Sequence, residues 1–168
     1  MPDTSPPSSN MGAKIETVIG FDLGTGWTGV AVGQTLTTQA RPLAAIKSIR
    51  QKPDWPAITR LLREWKPQKL IVGLPHSDYD DIQVMGDSAA RFSRQLHGRY
   101  HIETELIDEG LTTREAFNLT VESGQRKSKP EIDSLAAVLI TESWLREYQR
   151  HQSTLQSPEP LLEKKSSQ

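Results

Sequence analysis

Short apolar runs, separated by glycines, prolines and charged residues, mark the first third of this chain. Three of them predict β-strands: TVIGFDLG from Thr17, WTGVAVGQ from Trp27 and QARPLAAIKS from Gln39. The first two runs are separated only by Thr25 and Gly26, which predicts a hairpin. The chain therefore opens with strands that pair with their neighbours in sequence.

The pattern then alternates between helix and strand. Asp54 is a predicted N-cap, Pro56 follows in the first turn, and Pro67 ends the helix. Between these residues lies an apolar stripe at helical spacing: Ile58, Leu61, Leu62 and Trp65. The next segment, KLIVGLP, is a continuous apolar run that is typical of a buried parallel strand.

A second helix and strand follow, and then two more helices. The second helix is predicted from about Val84 to His97, and IETELIDE alternates as a strand does. The inward residues of that helix are Ala89, Phe92 and Leu96. Thr112 with Glu115 predicts a capping box for a third helix, and the last helix starts near Pro130. The predicted buried stripe of the last helix is Ile132, Leu135, Ala136, Leu139 and Ile140.

This order of elements favours an α/β fold with a mixed five-stranded sheet flanked by helices. We expect one domain over residues 14–150, because 168 residues is a usual size for one domain. Residues 1–13 and 151–168 are rich in Pro, Ser and Lys and are predicted to be disordered tails. The sequence has no apolar run of about 18 residues and no secretory signal, so we expect a cytoplasmic protein without a membrane partner.

Composition and charge narrow the chemistry. The chain has no cysteine, which excludes disulfides, thiolate metal sites and a cysteine nucleophile. Its net charge of -1 gives no support for a basic body that binds nucleic acid non-specifically. The densest basic cluster is Arg126, Lys127 and Lys129, which can contact phosphates or form a solvated loop. His76 and Ser77 follow the KLIVGLP strand and are predicted to line the ligand crevice.

Three acidic residues lie at the ends of predicted elements, where an α/β sheet places its ligand crevice. Asp22 ends the first strand, Glu109 follows the fifth strand, and Asp133 falls in the first turn of the last helix. A buried charge without a partner is costly, which favours a functional role for Asp22. The pattern alone leaves two other readings open: Asp133 can serve the helix dipole, and Glu109 can be an ordinary loop acid.

Clustered carboxylates of this kind suit metal-dependent cleavage of phosphodiester bonds. Two hard cations about 4 Å apart can stabilise both the attacking and the leaving oxygen at phosphorus. Magnesium prefers oxygen ligands and keeps several waters, so two or three carboxylates are enough. From the pattern alone, Asp22 is therefore the favoured ligand of Mg²⁺ or Mn²⁺ and a candidate catalytic residue, and Glu109 and Asp133 are candidates for the same role.

Four segments carry a family likeness. FDLGTGWTGVAV, IVGLP, DEGLTT and IDSLAAVLITESWL, in that order, resemble the YqgF/RuvX family over about Glu16 to Tyr148. The resemblance implies an RNase H-like fold, a cytoplasmic bacterial protein, and a metal-dependent nuclease that matures the 5′ end of 16S ribosomal RNA. It also assigns the acidic residues of three family motifs to Asp22, Glu109 and Asp133.

Two departures from the family pattern remove positive charge beside the predicted site. The basic residues that usually follow the first Gly-Thr are Gly26 and Trp27 here, and the Arg of D-E-R-L-T-T is Gly110. Activity or substrate contact is therefore expected to be weaker or rearranged, whereas the three acids are present.

Three other functions stay open. A resolvase that cuts branched DNA is one, although it normally needs a symmetric dimer. An actin-like ATPase is another, because DLGTGWTGVAV resembles its first phosphate loop, but such folds need far more than 168 residues. The third is a non-catalytic RNA-binding protein of ribosome assembly. The expected partners are pre-16S rRNA or branched DNA, together with ribosomal particles, and the expected state is a monomer or weak homodimer.

Overall fold

A computed structural model describes residues 14–24, 26–74, 82–108 and 128–156. Within these ranges the elements are β1 (Thr17–Leu23), β2 (Trp27–Gln34), β3 (Gln39–Lys47), α1 (Trp55–Trp65), β4 (Lys69–Leu74), α2 (Ile82–Tyr100), β5 (Glu103–Asp108) and α3 (Lys129–Gln156). They include a sheet in the order β3-β2-β1-β4-β5. The pairs β1–β2 and β2–β3 are antiparallel, whereas β1–β4 and β4–β5 are parallel. The predicted hairpin and mixed five-stranded sheet are confirmed.

One face of the sheet carries large apolar side chains, which pack under α1 and α2. The start of α1 is as predicted, because Asp54 Oδ1 accepts a hydrogen bond from Ala57 N at 3.1 Å. Phe21 of β1 and Phe92 of α2 meet edge to face, with ring centroids 5.4 Å apart. The other buried members of this cluster are Ile19, Val30, Val32, Ile58, Leu62, Leu70, Val72, Ala89 and Leu96.

The opposite face of the sheet is lined by small residues and is covered by α3. Successive side chains of a strand point to opposite faces, so Val18 and Gly20 face α3 while Ile19 and Phe21 face α1 and α2. A methyl group on any of four glycines would come within 3.0 Å of an α3 atom: Gly20, Gly29, Gly33 and Gly73. The helix therefore lies closer to the sheet than any larger residue would allow.

Two helices differ from their predicted limits. The helix α2 spans Ile82–Tyr100, which is longer at both ends than predicted. The helix α3 continues to Gln156, past the domain boundary predicted at residue 150. The residues that α3 buries are Ser134, Ala136, Ala137, Ile140, Thr141 and Leu145. The predicted stripe is thus correct at two positions and wrong at Ile132, Leu135 and Leu139, which are half-buried.

The reason for this error is the glycine-lined sheet. Because the strands approach α3 with glycines, small side chains such as Ala137 and Thr141 are buried together with Ile140 and Leu145, whereas Ile132, Leu135 and Leu139 lie at the flanks. Of the tails predicted at 1–13 and 151–168, residues 1–13 and 157–168 lie outside the described residues and stay predictions, whereas 151–156 belong to α3. The helix predicted from Thr112 also lies outside the described residues. In the ranges that are described, no helix is both long and apolar enough to cross a membrane.

The outer strands of the sheet contact charged side chains. On β3, Ala40 N donates a hydrogen bond to Glu142 of α3 at 3.0 Å. On β5, carboxylate oxygens of Glu103 and Glu105 lie 3.1 and 3.6 Å from the Nζ of Lys69. Lys69 is only 7% exposed and pairs in register with Val18, at the start of β1 and β4. This ion cluster, in which a buried lysine meets two exposed glutamates, therefore belongs to the end of the sheet away from Asp22.

Candidate active site

Asp22 lies near the carboxyl end of β1 and is 7% exposed. It shares the face of Val18 and Gly20, so its side chain is on the α3 side of the sheet. Its register partners are glycines on both sides, Gly29 of β2 and Gly73 of β4. Because both neighbouring positions lack a side chain, α3 packs closely against the sheet beside this carboxylate, at the sheet edge where α/β folds place a ligand.

Asp133 is brought to the same place by main-chain contact. A methyl group on Gly29 would overlap the carbonyl oxygen of Asp133 and would lie 2.6 Å from the amide nitrogen of Ser134. The first turn of α3 therefore rests directly on β2 at the residue that pairs with Asp22. Two of the three predicted acids are thus placed on adjacent strand and helix positions, although they are far apart in sequence.

Ser134 fixes this contact with two hydrogen bonds. Its Oγ accepts from Val30 N at 3.2 Å and donates to the carbonyl oxygen of Leu43 at 2.9 Å. Between Thr28 and Val30 the register of β2 with β3 shifts, which marks a β-bulge. The hydroxyl of Ser134 thus bonds both strands beside the bulge and ties the residue next to Asp133 to the sheet. Sequence reasoning missed this residue, because an isolated serine in a helix gives no signal of its own.

The third acid and several predicted contact residues cannot be placed. Glu109, His76, Ser77, Arg126 and Lys127 lie outside the described residues, and so does Gly110. Lys129 is the first residue of α3, but its side chain is outside the described set. Among the residues that are described, no group of three or more acidic or histidine side chains forms a metal cluster. The structure therefore brings together Asp22 and Asp133 and leaves the other predicted site residues untested.

Positive charge lies near the positions that depart from the family pattern. The Nζ of Lys47, at the end of β3, lies 5.9 Å from the ring centroid of Trp27. Gly26 has a φ of 85°, a left-handed conformation that glycine adopts without strain. Other cations flank a cavity at this same edge of the sheet, on the side of α1 and α2. That cavity has a volume of about 510 Å³, and its lining includes Leu23, Gly24, Lys52, Trp55, Arg91 and Gln95.

The chain resembles proteins of known family. It matches the RuvX family, described as Holliday junction resolvase, over residues 16–147. A Nitrosococcus oceani protein is 43% identical over 82% of this chain and 91% of its own length. An Escherichia coli O157:H7 protein is 44% identical over 78% of this chain and 96% of its own length. Each of them is named "Putative pre-16S rRNA nuclease".

A solved structure supports the fold. The fowlpox virus Holliday junction resolvase superposes with a TM-score of 0.51 at 12% identity, covering 79% of this chain and 99% of the viral chain. At this identity the likeness concerns the fold alone, and it confirms the predicted RNase H-like architecture. The match over residues 16–147 and the curated relatives also confirm the predicted family and an enzyme of the nuclease class. The chain belongs to the RuvX family.

Proposed function

We propose that this protein is a metal-dependent endonuclease that hydrolyses phosphodiester bonds of pre-16S ribosomal RNA in the maturation of its 5′ end. The observation that carries the proposal is the pairing of Asp22, buried between two glycines, with Asp133, whose main chain rests on one of those glycines. Relatives named as pre-16S rRNA nucleases support the choice of RNA.

The two acids fit a divalent cation by their chemistry. Carboxylate oxygens are the ligands that Mg²⁺ and Mn²⁺ prefer, and these ions keep several waters, so two protein ligands can hold one ion. Two carboxylates at one edge also repel each other, and a cation offsets that repulsion. When bound, the cation supplies stabilisation of the negative charge that develops on the phosphate oxygens. Glu109 is proposed as a third ligand.

The residues of the chain have separate tasks in this mechanism. Asp22 and Asp133 would hold the cation, which would supply positive charge to the scissile phosphate. Ser134 is a positioning residue, because its hydrogen bonds to Val30 and Leu43 hold the turn that carries Asp133. The glycines beside Asp22 let α3 lie close to the sheet, which brings the turn that carries Asp133 next to Asp22.

A direct test uses the full chain with Mg²⁺ or Mn²⁺ and labelled precursor RNA. We expect cleavage that Asp22→Asn lowers by more than the roughly 10–100-fold that loss of an outer-shell partner of a metal ligand costs. Asp87→Asn is the matched control, because Asp87 is an exposed aspartate of α2. Cleavage by Asp22→Asn at the wild-type rate would show that the acids are not the active site.

Metal binding is tested apart from cleavage by titrating Mn²⁺ calorimetrically. Asp22→Asn and Asp133→Asn are each expected to weaken Mn²⁺ binding, whereas Asp87→Asn leaves it unchanged. Equal Mn²⁺ affinity in all four proteins would contradict metal ligation by these two residues.

A second candidate function is cleavage of branched DNA. It is favoured by the family description as Holliday junction resolvase. The same assay with a labelled four-way DNA junction separates the two functions, since the leading proposal expects RNA to be cut in preference. Binding of RNA without cleavage at any metal concentration would instead indicate a non-catalytic assembly protein.

A further inference from the structure

A groove runs along the α1 and α2 side of the sheet and starts at the tip of β1. Two cavities of about 510 and 580 Å³ adjoin there and share four lining residues: Lys52, Pro53, Trp55 and Gln95. One wall is the 48–53 loop between β3 and α1, and the other is the exposed face of α2. Leu23 and Gly24, which follow Asp22 directly, line its inner end. The inner end of the groove thus lies at the main chain that follows Asp22, on the opposite side of the sheet to α3 and to the side chain of Asp22.

The lining of the groove is strongly basic, in contrast to the chain as a whole. Its cationic side chains are Arg50, Lys52, Arg91 and Arg99, all exposed. Among the described residues of that lining, Asp54 is the one carboxylate, and it is occupied as the N-cap of α1. The whole chain has a net charge of -1, so this concentration of positive charge is local. Such a stripe complements a phosphate backbone.

The groove also offers a flat surface for a base. The guanidinium carbon of Arg99 lies 4.0 Å from the ring centroid of Trp55, so the two groups are stacked. Trp55 is held from the side of the core by Phe92, at a centroid distance of 5.8 Å. Nucleic-acid bases stack on aromatic rings and on guanidinium planes in single-strand binding proteins.

The 48–53 loop holds its cations in a strained turn. Ile49 and Lys52 form two main-chain hydrogen bonds: Ile49 N donates to Lys52 O at 2.8 Å, and Lys52 N donates to Ile49 O at 2.9 Å. The two residues between them, Arg50 and Gln51, have φ values of 53° and 64°. This left-handed pair is the geometry of a type I′ turn, which favours Asn-Gly. Non-glycine residues are strained in this conformation, and such strain recurs at ligand clamps.

We propose that this groove binds a single strand of RNA and guides it to Asp22 and Asp133. The inference rests on the function proposed above, which supplies the choice of RNA. A single strand fits because its unpaired bases are free to stack on Arg99 and Trp55 while its phosphates meet the cations of the groove. Lys52 and Arg91 contact phosphates where the strand nears Asp22, and Arg99 on Trp55 receives a base farther out.

The test measures binding of a labelled single-stranded RNA oligonucleotide to the full chain, with EDTA present so that no cleavage occurs. For single strands, log K falls with log salt at a slope of about -0.7 per phosphate contact. Lys52→Gln and Arg91→Gln are each expected to reduce that slope by about 0.7, which is roughly fivefold in affinity at 0.1 M salt. The matched control is Arg94→Gln, an exposed arginine of the same helix that does not line the groove.

Two further variants separate charge from shape. Arg50→Asn removes a charge but suits the turn, so it should weaken RNA binding while leaving the fold intact. Arg99→Lys keeps the charge but loses the planar stack, so affinity should fall with the salt slope unchanged. If Lys52→Gln, Arg91→Gln and Arg94→Gln all bind RNA as the wild type does, the groove is not the RNA site. Tighter binding of a four-way DNA junction, lost in the same variants, would overturn the choice of RNA.

These outcomes are independent of the test of the active site. Wild-type RNA binding by the groove variants, with cleavage lost in Asp22→Asn, would refute the groove and leave the proposed function standing. Weakened binding by the groove variants, with cleavage retained in Asp22→Asn, would do the reverse.

Discussion

The two faces of the sheet are packed by different means. Under α1 and α2 the contacts are between large apolar side chains such as Phe21 and Phe92. Under α3 a smaller apolar cluster is joined by close contacts between the helix and glycines, with the main chain of Asp133 against Gly29. Side chains can change rotamer when a neighbour changes, but main chain against main chain cannot. The first face therefore supplies most of the apolar burial, and the second sets the position of the acids.

The largest expected effect on stability is on the apolar face. Leu96→Ala in α2 removes a fully buried side chain and should lower the free energy of unfolding by about 2–5 kcal/mol, measured by urea denaturation. Cleavage per folded molecule, assayed well below the melting temperature, should stay near the wild-type rate. A large loss of cleavage with intact folding would show that the two faces are not independent.

Gly29→Ala is the corresponding change on the α3 face. The added methyl group overlaps the Asp133 carbonyl, so the first turn of α3 must move. We expect a loss of stability at the upper end of the roughly 1–3 kcal/mol that overpacking costs. Unlike Leu96→Ala, this variant should also lose Mn²⁺ binding and cleavage in the molecules that stay folded. Retention of wild-type Mn²⁺ affinity would contradict the placement of Asp133 by this contact.

Ser134→Ala tests the hydrogen bonds at the bulge. It leaves the N–H of Val30 and the carbonyl of Leu43 without this partner in a buried position, at a cost of about 1–3 kcal/mol. Cleavage should fall through kcat more than KM, because the residue positions Asp133 without touching substrate. Ser93→Ala in α2 is the control and should change stability by no more than about 0.5 kcal/mol. Equal losses of stability and of cleavage in the two variants would contradict the proposed positioning role of Ser134.

The smallest effect is expected from a glycine that contacts nothing. Gly98 lies in α2, and a methyl group there would meet no atom within 4 Å. Gly98→Ala should therefore stabilise the protein by roughly 0.5–1 kcal/mol through helix propensity, with cleavage unchanged. We expect Gly98→Ala to raise the melting temperature and Gly29→Ala to lower it. This difference would show that a glycine matters here where another part of the chain packs closely against it, and not simply because it is a glycine. A destabilised Gly98→Ala protein would contradict that separation.

Local features of the sequence predicted most of the architecture. Continuous apolar runs predicted β1 and β4, and Asp54 and Pro67 predicted where α1 begins and ends, because strand burial, capping and helix termination act over a few residues. Asp22 could be selected in the same way, as a charge that follows a buried run.

Long-range contacts could not be predicted in this way. The buried face of α3 depends on glycines of distant strands. The apolar stripe that includes Leu135 and Leu139 therefore did not predict which residues of the helix are buried. The proximity of Gly29 and Asp133, and the convergence of Lys52 with Arg91, link segments that sequence periodicity treats separately. Net charge also concealed the groove, because a local cluster of cations does not change a total near zero.

The side chains at the outer strands, β3 and β5, affect how readily another strand can pair with the sheet. An open sheet edge is a template on which another copy can add a strand and so begin aggregation. On β3, the carboxylate of Glu142 accepts a hydrogen bond from the N–H of Ala40, and Pro42 has no N–H that could donate one. On β5, Glu103 and Glu105 place negative charge along the strand. At both edges of the sheet formed by the described strands, these side chains therefore disfavour the addition of a strand from another molecule.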